Sequence, residues 1–211
     1  MNQEIKALEK SYGWKSDSNE PSHAYLLPAA LRILKFYDVN NLLDVGCGNG
    51  SSLPAWLSSG LKVSAIEPDQ QGYEYSKLNS SVEVRKLGVG DALPDHWINN
   101  FDALISLEVV EHLFDPYLLI DTADEALNEN GLIILSTPFH GYIKNLAMSI
   151  TNKWDFHHHP QRTGGHIKFW SKKTLSALFT DRGYSIEHFE GVGRIPFLWK
   201  SMFLTFKKVN I

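Results

Sequence analysis

Glu108, Glu111 and His112 stand at i, i+3 and i+4 in the stretch Leu107-Glu108-Val109-Val110-Glu111-His112. On a helix that spacing puts two carboxylates and an imidazole on one face. Clustered anions are costly unless something positive is shared, so this donor set fits a divalent cation, Mg2+ or another metal with oxygen and nitrogen ligands. Histidines recur downstream at His140, His157, His158, His159 and His166, and one of them would complete the ligand shell. Without a cation the same residues suit acid/base chemistry, a histidine acting as base or orienting group, or they serve packing alone.

A second constellation lies upstream. Asn41 to Gly50, NLLDVGCGNG, runs an apolar strand into Gly46, Gly48 and Gly50, and glycine lets a ligand approach the backbone closely. The next strand-like run, LKVSAIEPD, ends at Glu67 about twenty residues on, where a carboxylate can accept from both ribose hydroxyls of an adenosine-containing cofactor. Gly-Cys-Gly-Asn-Gly is one residue tighter than the G-x-G-x-x-G that seats a pyrophosphate, and Asp44 beside it would repel a phosphate. The loop therefore favours a cofactor with a positive centre. Each position also has a structural reading: Asp44 as a loop cap, Cys47 as a small buried filler, Glu67 as a solvated strand-end charge, Asp91 as a turn residue.

The elements that must position these groups follow from periodicity. Short β-branched-rich runs at Leu42 to Val45, Leu61 to Ile66, Val82 to Leu87, Phe101 to Leu107 and Leu132 to Ser136 alternate with helical patterns. The helices are expected at Ala24 to Tyr37, Ser51 to Ser59, Asp69 to Leu78, Val109 to Leu127 and Lys172 to Arg182, with Gly60, Gly131 and Gly183 as C-terminal stops. Such alternation predicts a parallel sheet covered by helices on both faces. Tyr184 to Gly191 and Ser201 to Lys208 then read as a closing antiparallel hairpin. Pro138 to Ser171 is a long irregular connection, of the length that lids and binding loops have. Its aromatics, Tyr142, Trp154, Phe156, Phe169 and Trp170, line an acceptor pocket or pack the loop, and Tyr12, Trp14, His23 and Tyr25 are placed to close over a cofactor or to pack a helix.

The 211 residues suit a single domain, 1–211, with an N-terminal helical segment at 1–40 and a lid insertion at 138–171. A net charge of −4 counts against nucleic acid as partner. One cysteine, Cys47, excludes an intrachain disulfide and points to the cytoplasm. The most apolar run, Ile195 to Phe206, is interrupted by Lys200 and falls short of the roughly 18 residues of a membrane span.

DVGCGNG, then AIEPD, LGVGDALP, FDALISLEVVEHL and NENGLIILSTP, together resemble the class I S-adenosylmethionine-dependent methyltransferases over nearly the whole chain. The resemblance implies a three-layer Rossmann-like α/β fold whose seven-stranded, mostly parallel sheet has an antiparallel last strand. It also implies roles by position. Gly46, Cys47, Gly48 and Gly50 approach the amino-acid part of S-adenosyl-L-methionine, Asp44 supports that end, Glu67 with Pro68 holds the ribose, Asp91 and Ala92 lie by the adenine, and Leu107 flanks the methionine moiety. A narrower likeness joins EVVEH to the later Gly164-Gly165-His166, as in the ubiquinone-biosynthesis O-methyltransferases and the small-RNA terminal 2′-O-methyltransferases. It implies Glu108, Glu111, His112 and His166 as metal ligands or acid/base groups. The reading is a methyltransferase acting on the oxygen of a small molecule. An RNA-end 2′-O-methyltransferase and a cofactor-binding accessory protein without activity are the alternatives.

Overall fold

The computed structural model describes residues 14, 16, 18, 20–158, 161 and 164–209; Tyr12 and His159, singled out above, lie outside them. In chain order the elements are α1 (His23–Phe36), β1 (Asn41–Val45), α2 (Leu53–Ser58), β2 (Lys62–Ile66), α3 (Gln70–Asn79), β3 (Glu83–Arg85), β4 (Phe101–Leu107), α4 (Tyr117–Ala126), β5 (Leu127–Pro138), α5 (Tyr142–Ile150), α6 (Trp154–His158), α7 (Lys172–Thr180), β6 (Tyr184–Val192) and β7 (Ser201–Lys208). A short 3₁₀ turn, Asp95–Trp97, precedes β4.

The seven strands lie in the order β3-β2-β1-β4-β5-β7-β6, all parallel except β7, which runs antiparallel to both its neighbours. Alternate residues of each central strand feed opposite cores, as the two-residue period of a strand dictates. Leu43, Leu104 and Ile133 face a core closed by Leu119, Ile120 and Ala123 of α4 and by Leu175 and Phe179 of α7. Leu42, Ala103 and Ile134 face the other, closed by Leu26, Ala30 and Ile33 of α1 and by Leu53 and Trp56 of α2. The three-layer α/β fold expected from the sequence is the one observed.

Some expectations need correction. Residues 109–116 are not helical: α4 begins at Tyr117, because Pro116 has no N–H to give an i−4 carbonyl and the Glu111 carbonyl is taken by the N–H groups of Ile167 and Lys168, at 3.0 Å each. Gly131 is not a helix stop but lies within β5, while Gly60 and Gly183 close their helices at φ +84° and +83° as expected. The connection 138–171 is not irregular throughout, since it contains α5 and α6. Among the described residues no helix is long and apolar enough to cross a membrane.

Candidate active site

Sheet order reverses between β1 and β4, and the loops leaving the carboxyl ends of β1, β2 and β4 meet there. After Val45 the chain turns through Gly46, Gly48 and Gly50 at φ +77°, +59° and +77°. At all three, space as well as torsion demands glycine: a Cβ on Gly46 would lie 2.6 Å from Val109 Cγ2, one on Gly48 2.3 Å from the Trp14 ring, and one on Gly50 2.6 Å from Ser76 Cα. Asp44 is 2% exposed, and its Oδ2 accepts from Ser52 Oγ at 3.0 Å and Trp56 Nε1 at 2.8 Å. It thus braces the glycine loop against α2, while burial pushes its carboxyl up to about 6. Cys47 is buried beneath the loop, and burial holds its thiol well above the usual range, so it is a packed rather than a reactive group.

Glu67 is held at both oxygens: the Gly48 N–H donates to Oε2 at 2.8 Å and the Asp69 N–H to Oε1 at 2.9 Å. Burial raises its carboxyl to about 7, against the pull of those two bonds. Asp44, Gly46, Cys47, Gly48, Glu67, Pro68 and Leu107 line one cavity of about 170 Å³, to which Trp14, His23, Glu108, Val109 and His112 also contribute. A smaller cavity, about 40 Å³, shares Gly46, Pro68 and Val109 with it and reaches Asp91, whose Oδ2 accepts from the Gly88 N–H at 2.9 Å. Gly50 and Ala92 line neither; Gly50 packs against Ser76 of α3 and Ala92 is exposed.

Glu108 leaves β4 at φ +55°, a strained value for a residue with a side chain. Ser136 of β5 holds it there, its carbonyl accepting from the Glu108 N–H at 3.0 Å and its hydroxyl donating to Glu108 Oε1 at 2.9 Å. The single helical face expected for Glu108, Glu111 and His112 therefore does not exist. The loop instead gathers Glu111, His112 and His166, whose donor atoms all lie within 4.8 Å of one another. Glu111 Oε1 stands 3.9 Å from His112 Nε2 and 4.0 Å from His166 Nε2. Its other oxygen accepts from Thr137 Oγ1 at 3.0 Å, but Oε1 is buried with no hydrogen-bond partner among the described residues. His112 Nδ1 lies 3.2 Å from the Gly165 carbonyl; donation there leaves the Nε2 lone pair facing Glu111.

The electrostatics follow from burial. Glu111 is driven well above the ordinary carboxylate range, first by desolvation and then by the charge of Glu108. Glu108 itself is raised to about 7 by burial, and His166 is pushed down to about 3 by the same cause. All three changes favour uncharged forms. A divalent cation would invert the preference at Glu111, where a buried oxygen without a partner faces two imidazole nitrogens, so the donor set fits one.

Ser136 and Thr137, which hold Glu108 and Glu111, were not singled out from the sequence. The available signal was two hydroxyls ending an apolar strand beside the strand that delivers Glu108. Of the lid aromatics, Trp170 packs on the core and donates to the Val110 carbonyl at 3.2 Å, whereas Tyr142 and Phe156 are exposed. His157 and His158 ride on α6 with their rings beside His140, 5.2 and 6.1 Å between centroids.

The family model described as "Methyltransferase domain" matches residues 20–188, well over half of the chain. Among curated proteins, the ubiquinone biosynthesis O-methyltransferase of Azorhizobium caulinodans is 27% identical over 157 residues, which cover 72% of this chain and 61% of that protein. The chain thus spans about three fifths of that relative's length. A SAM-dependent methyltransferase from Aquifex aeolicus has the same fold, with a TM-score of 0.65, 18% identity, and coverage of 98% of this chain and 97% of that one. The magnesium protoporphyrin IX methyltransferase of Synechocystis PCC 6803, solved with bound SAH, superposes with a TM-score of 0.64 at 15% identity, over 87% of this chain and 82% of that one. A glycine loop and buried carboxylate suited to a sulfonium cofactor thus sit in a chain that matches the family along most of its length, and the protein belongs to the class I S-adenosylmethionine-dependent methyltransferases.

Proposed function

We propose that the protein methylates a hydroxyl oxygen of a small molecule, and that Glu111, His112 and His166 hold a divalent cation at the acceptor end of the site. The observation that carries this reading is Glu111 Oε1, buried, facing two imidazole nitrogens and without a hydrogen-bond partner among the described residues. It lies next to the cofactor cavity, since His112 belongs to both. The Azorhizobium relative is an O-methyltransferase by name, which points the same way.

S-adenosylmethionine, when bound, supplies a methyl group on a positively charged sulfur. Glu67, held by the Gly48 and Asp69 N–H groups, would accept from the ribose hydroxyls, and the glycine turn would admit the amino-acid part close to the backbone. Asp44 and Glu67 give that end an acidic lining, which suits a sulfonium. Alignment is the main task for a good leaving group, and holding donor and acceptor in place is worth about 7 to 11 kcal/mol. A divalent cation, when bound, lowers the pKa of an acceptor hydroxyl. With the cation bound Glu111 would be ionised and would offset its charge, Thr137 fixes that carboxyl group, and Gly165 fixes the His112 ring. His166 comes from the stretch in which Gly165, Ile167 and Lys168 bond the loop that carries Glu111 and His112.

The test is transfer of labelled methyl from S-adenosylmethionine to a panel of phenols, catechols, aliphatic alcohols and a short RNA, with Mg2+ or Mn2+ and with chelator. Methyl ethers formed only with the cation are expected. Transfer indifferent to chelator would give the acceptor proton to a histidine base, and transfer confined to RNA ends would overturn the small-molecule reading.

A further inference from the structure

Helix α5 is packed the wrong way round for an ordinary amphipathic helix. Tyr142 is 81% exposed and Ile150 76%, with Ile143 and Leu146 exposed too, whereas Lys144 is 7% exposed and is buried together with Met148. A helix stabilised by packing turns its apolar stripe inward and its lysines out, so a lysine on the buried side needs a reason of its own. What Lys144 finds inside is one acceptor. Its Nζ donates to the Lys200 carbonyl at 3.1 Å, an oxygen that also takes the Phe139 N–H at 3.0 Å. An ammonium carries three donors, and among the described residues Lys144 makes no other hydrogen bond. Burial lowers its amine to about 8, against the attraction of Glu108 and with the repulsion of Arg194. At neutral pH it is still a cation, and a buried cation short of acceptors is costly until an anion joins it.

The position of this ammonium ties it to the acceptor end of the site. Lys200 immediately precedes Ser201, which pairs with Pro138 at the carboxyl end of β5, two residues past the Ser136 that holds Glu108. Glu108 in turn lines the cofactor cavity. Arg194 reaches the same place from the turn between β6 and β7. It is exposed, and its charge acts both on Lys144 and on the Tyr25 hydroxyl, which also feels Glu108 and Glu111. Lys200 adds a third cation, its Nζ 5.0 Å from the centre of the Tyr25 ring. Among the described residues none of the three forms an ion pair with a carboxylate, although other lysines and arginines do. Glu108, whose charge Lys144 feels, is itself raised to about 7 by burial and offsets only part of theirs. In a chain of net charge −4, unpaired cations gathered beside the acceptor end fit a small anion, and a carboxylate accepts from an arginine fork and a lysine at once.

We infer that Lys144 and Arg194 form an anion subsite for the acceptor, which is therefore a hydroxy acid, with its hydroxyl at the Glu111 end and its carboxylate on the two cations. The inference rests on the small-molecule O-methylation proposed above and narrows it. The reaction remains one methyl transfer to oxygen: the carbon–sulfur bond of the sulfonium breaks as the carbon–oxygen bond forms, the hydroxyl proton leaves, and the carboxylate is unchanged.

The experiment compares two acceptors that differ in that group, 3,4-dihydroxyphenylacetate and 4-ethylcatechol. Calorimetric titration of the full-length protein with S-adenosylhomocysteine and Mn2+ present reads their affinities without turnover, and methyl transfer reads their KM values. The wild type should bind the acid about tenfold more tightly than the neutral catechol, with the same ratio in KM. Lys144→Met and Arg194→Gln should each bring that ratio close to one, and Arg194→Lys should keep it. Arg194 is exposed, so its variants test the subsite even where Lys144→Met disturbs the packing of α5. A ratio near one in the wild type, or a ratio that survives in Lys144→Met and Arg194→Gln, overturns the proposal, as does binding of a short RNA in preference to both catechols. If neither catechol binds, the small-molecule O-methylation reading falls and the subsite with it.

Discussion

Glu111→Ala is expected to abolish cation binding and to lower methyl transfer by about 10²- to 10⁴-fold, the range in which loss of a group that handles the acceptor proton falls. Its Oε1 is the buried oxygen that faces both His112 and His166. Without it, two imidazoles remain of the three ligands, and the carboxylate that would offset the charge of a divalent ion at this point is gone. Stability should move the other way. Burial raises the Glu111 carboxyl well above its ordinary value, so its ionised form is a liability to the fold when no cation is present. Glu111→Gln keeps an acceptor for Thr137 and removes that liability. The metal-free Gln variant should therefore melt no lower than wild type, and the difference should grow in its favour as pH rises. Thermal melts at several pH values, with and without Mn2+, check both halves: Mn2+ should raise the wild-type melting temperature and leave both variants unmoved.

Glu67→Ala should weaken S-adenosylhomocysteine binding by at least about tenfold in calorimetry, since hydrogen bonds to a charged group are worth about 1.5–3 kcal/mol. The residue is 4% exposed, and the backbone N–H groups of Gly48 and Asp69 fix its orientation. Its raised pKa adds a pH signature. The carboxyl sits at about 7 in the folded protein, above its unfolded value, so its protonated form contributes fold stability that is fully present below the unfolded pKa and lost as pH rises through about 7. Ribose recognition by the ionised form has the opposite sign: affinity should fall about tenfold between about pH 8 and pH 6. Glu67→Gln should bind weakly and flatly across that range. Unchanged affinity in Glu67→Ala would remove this residue from the ribose site.

How much of this was legible in the sequence differs between the two halves of the site. At the cofactor end the signal is local: an apolar strand, a glycine turn and a carboxylate one strand later fix a backbone geometry that tertiary packing then has only to preserve. Gly46, Gly48 and Glu67, and Leu107, which the family resemblance alone singled out, accordingly line one cavity. At the acceptor end the residues were legible but their arrangement was not. The i, i+3, i+4 spacing of Glu108, Glu111 and His112 reads as one helical face, yet Pro116 and the capture of the Glu111 carbonyl by Ile167 and Lys168 prevent a helix. Glu108 is drawn instead to Ser136, on a strand nearly thirty residues away. Pairing between β4 and β5 decides that contact, and pairing is non-local. The hydrogen bonds of Asn49 to the Ser16 and Ser18 carbonyls escaped for a similar reason, because nothing in NLLDVGCGNG announces that an asparagine amide will hold carbonyls more than thirty residues earlier.

The measurement that bears most directly on a site divided between donor and cation is a crystal structure of the protein with S-adenosylhomocysteine and Mn2+, read by anomalous scattering. One anomalous peak should lie within about 2.0 to 2.3 Å of Glu111 Oε1, His112 Nε2 and His166 Nε2, with the ribose of S-adenosylhomocysteine on Glu67 and its sulfur toward that peak. S-adenosylhomocysteine seated in the glycine turn with no anomalous density among those three atoms would contradict it.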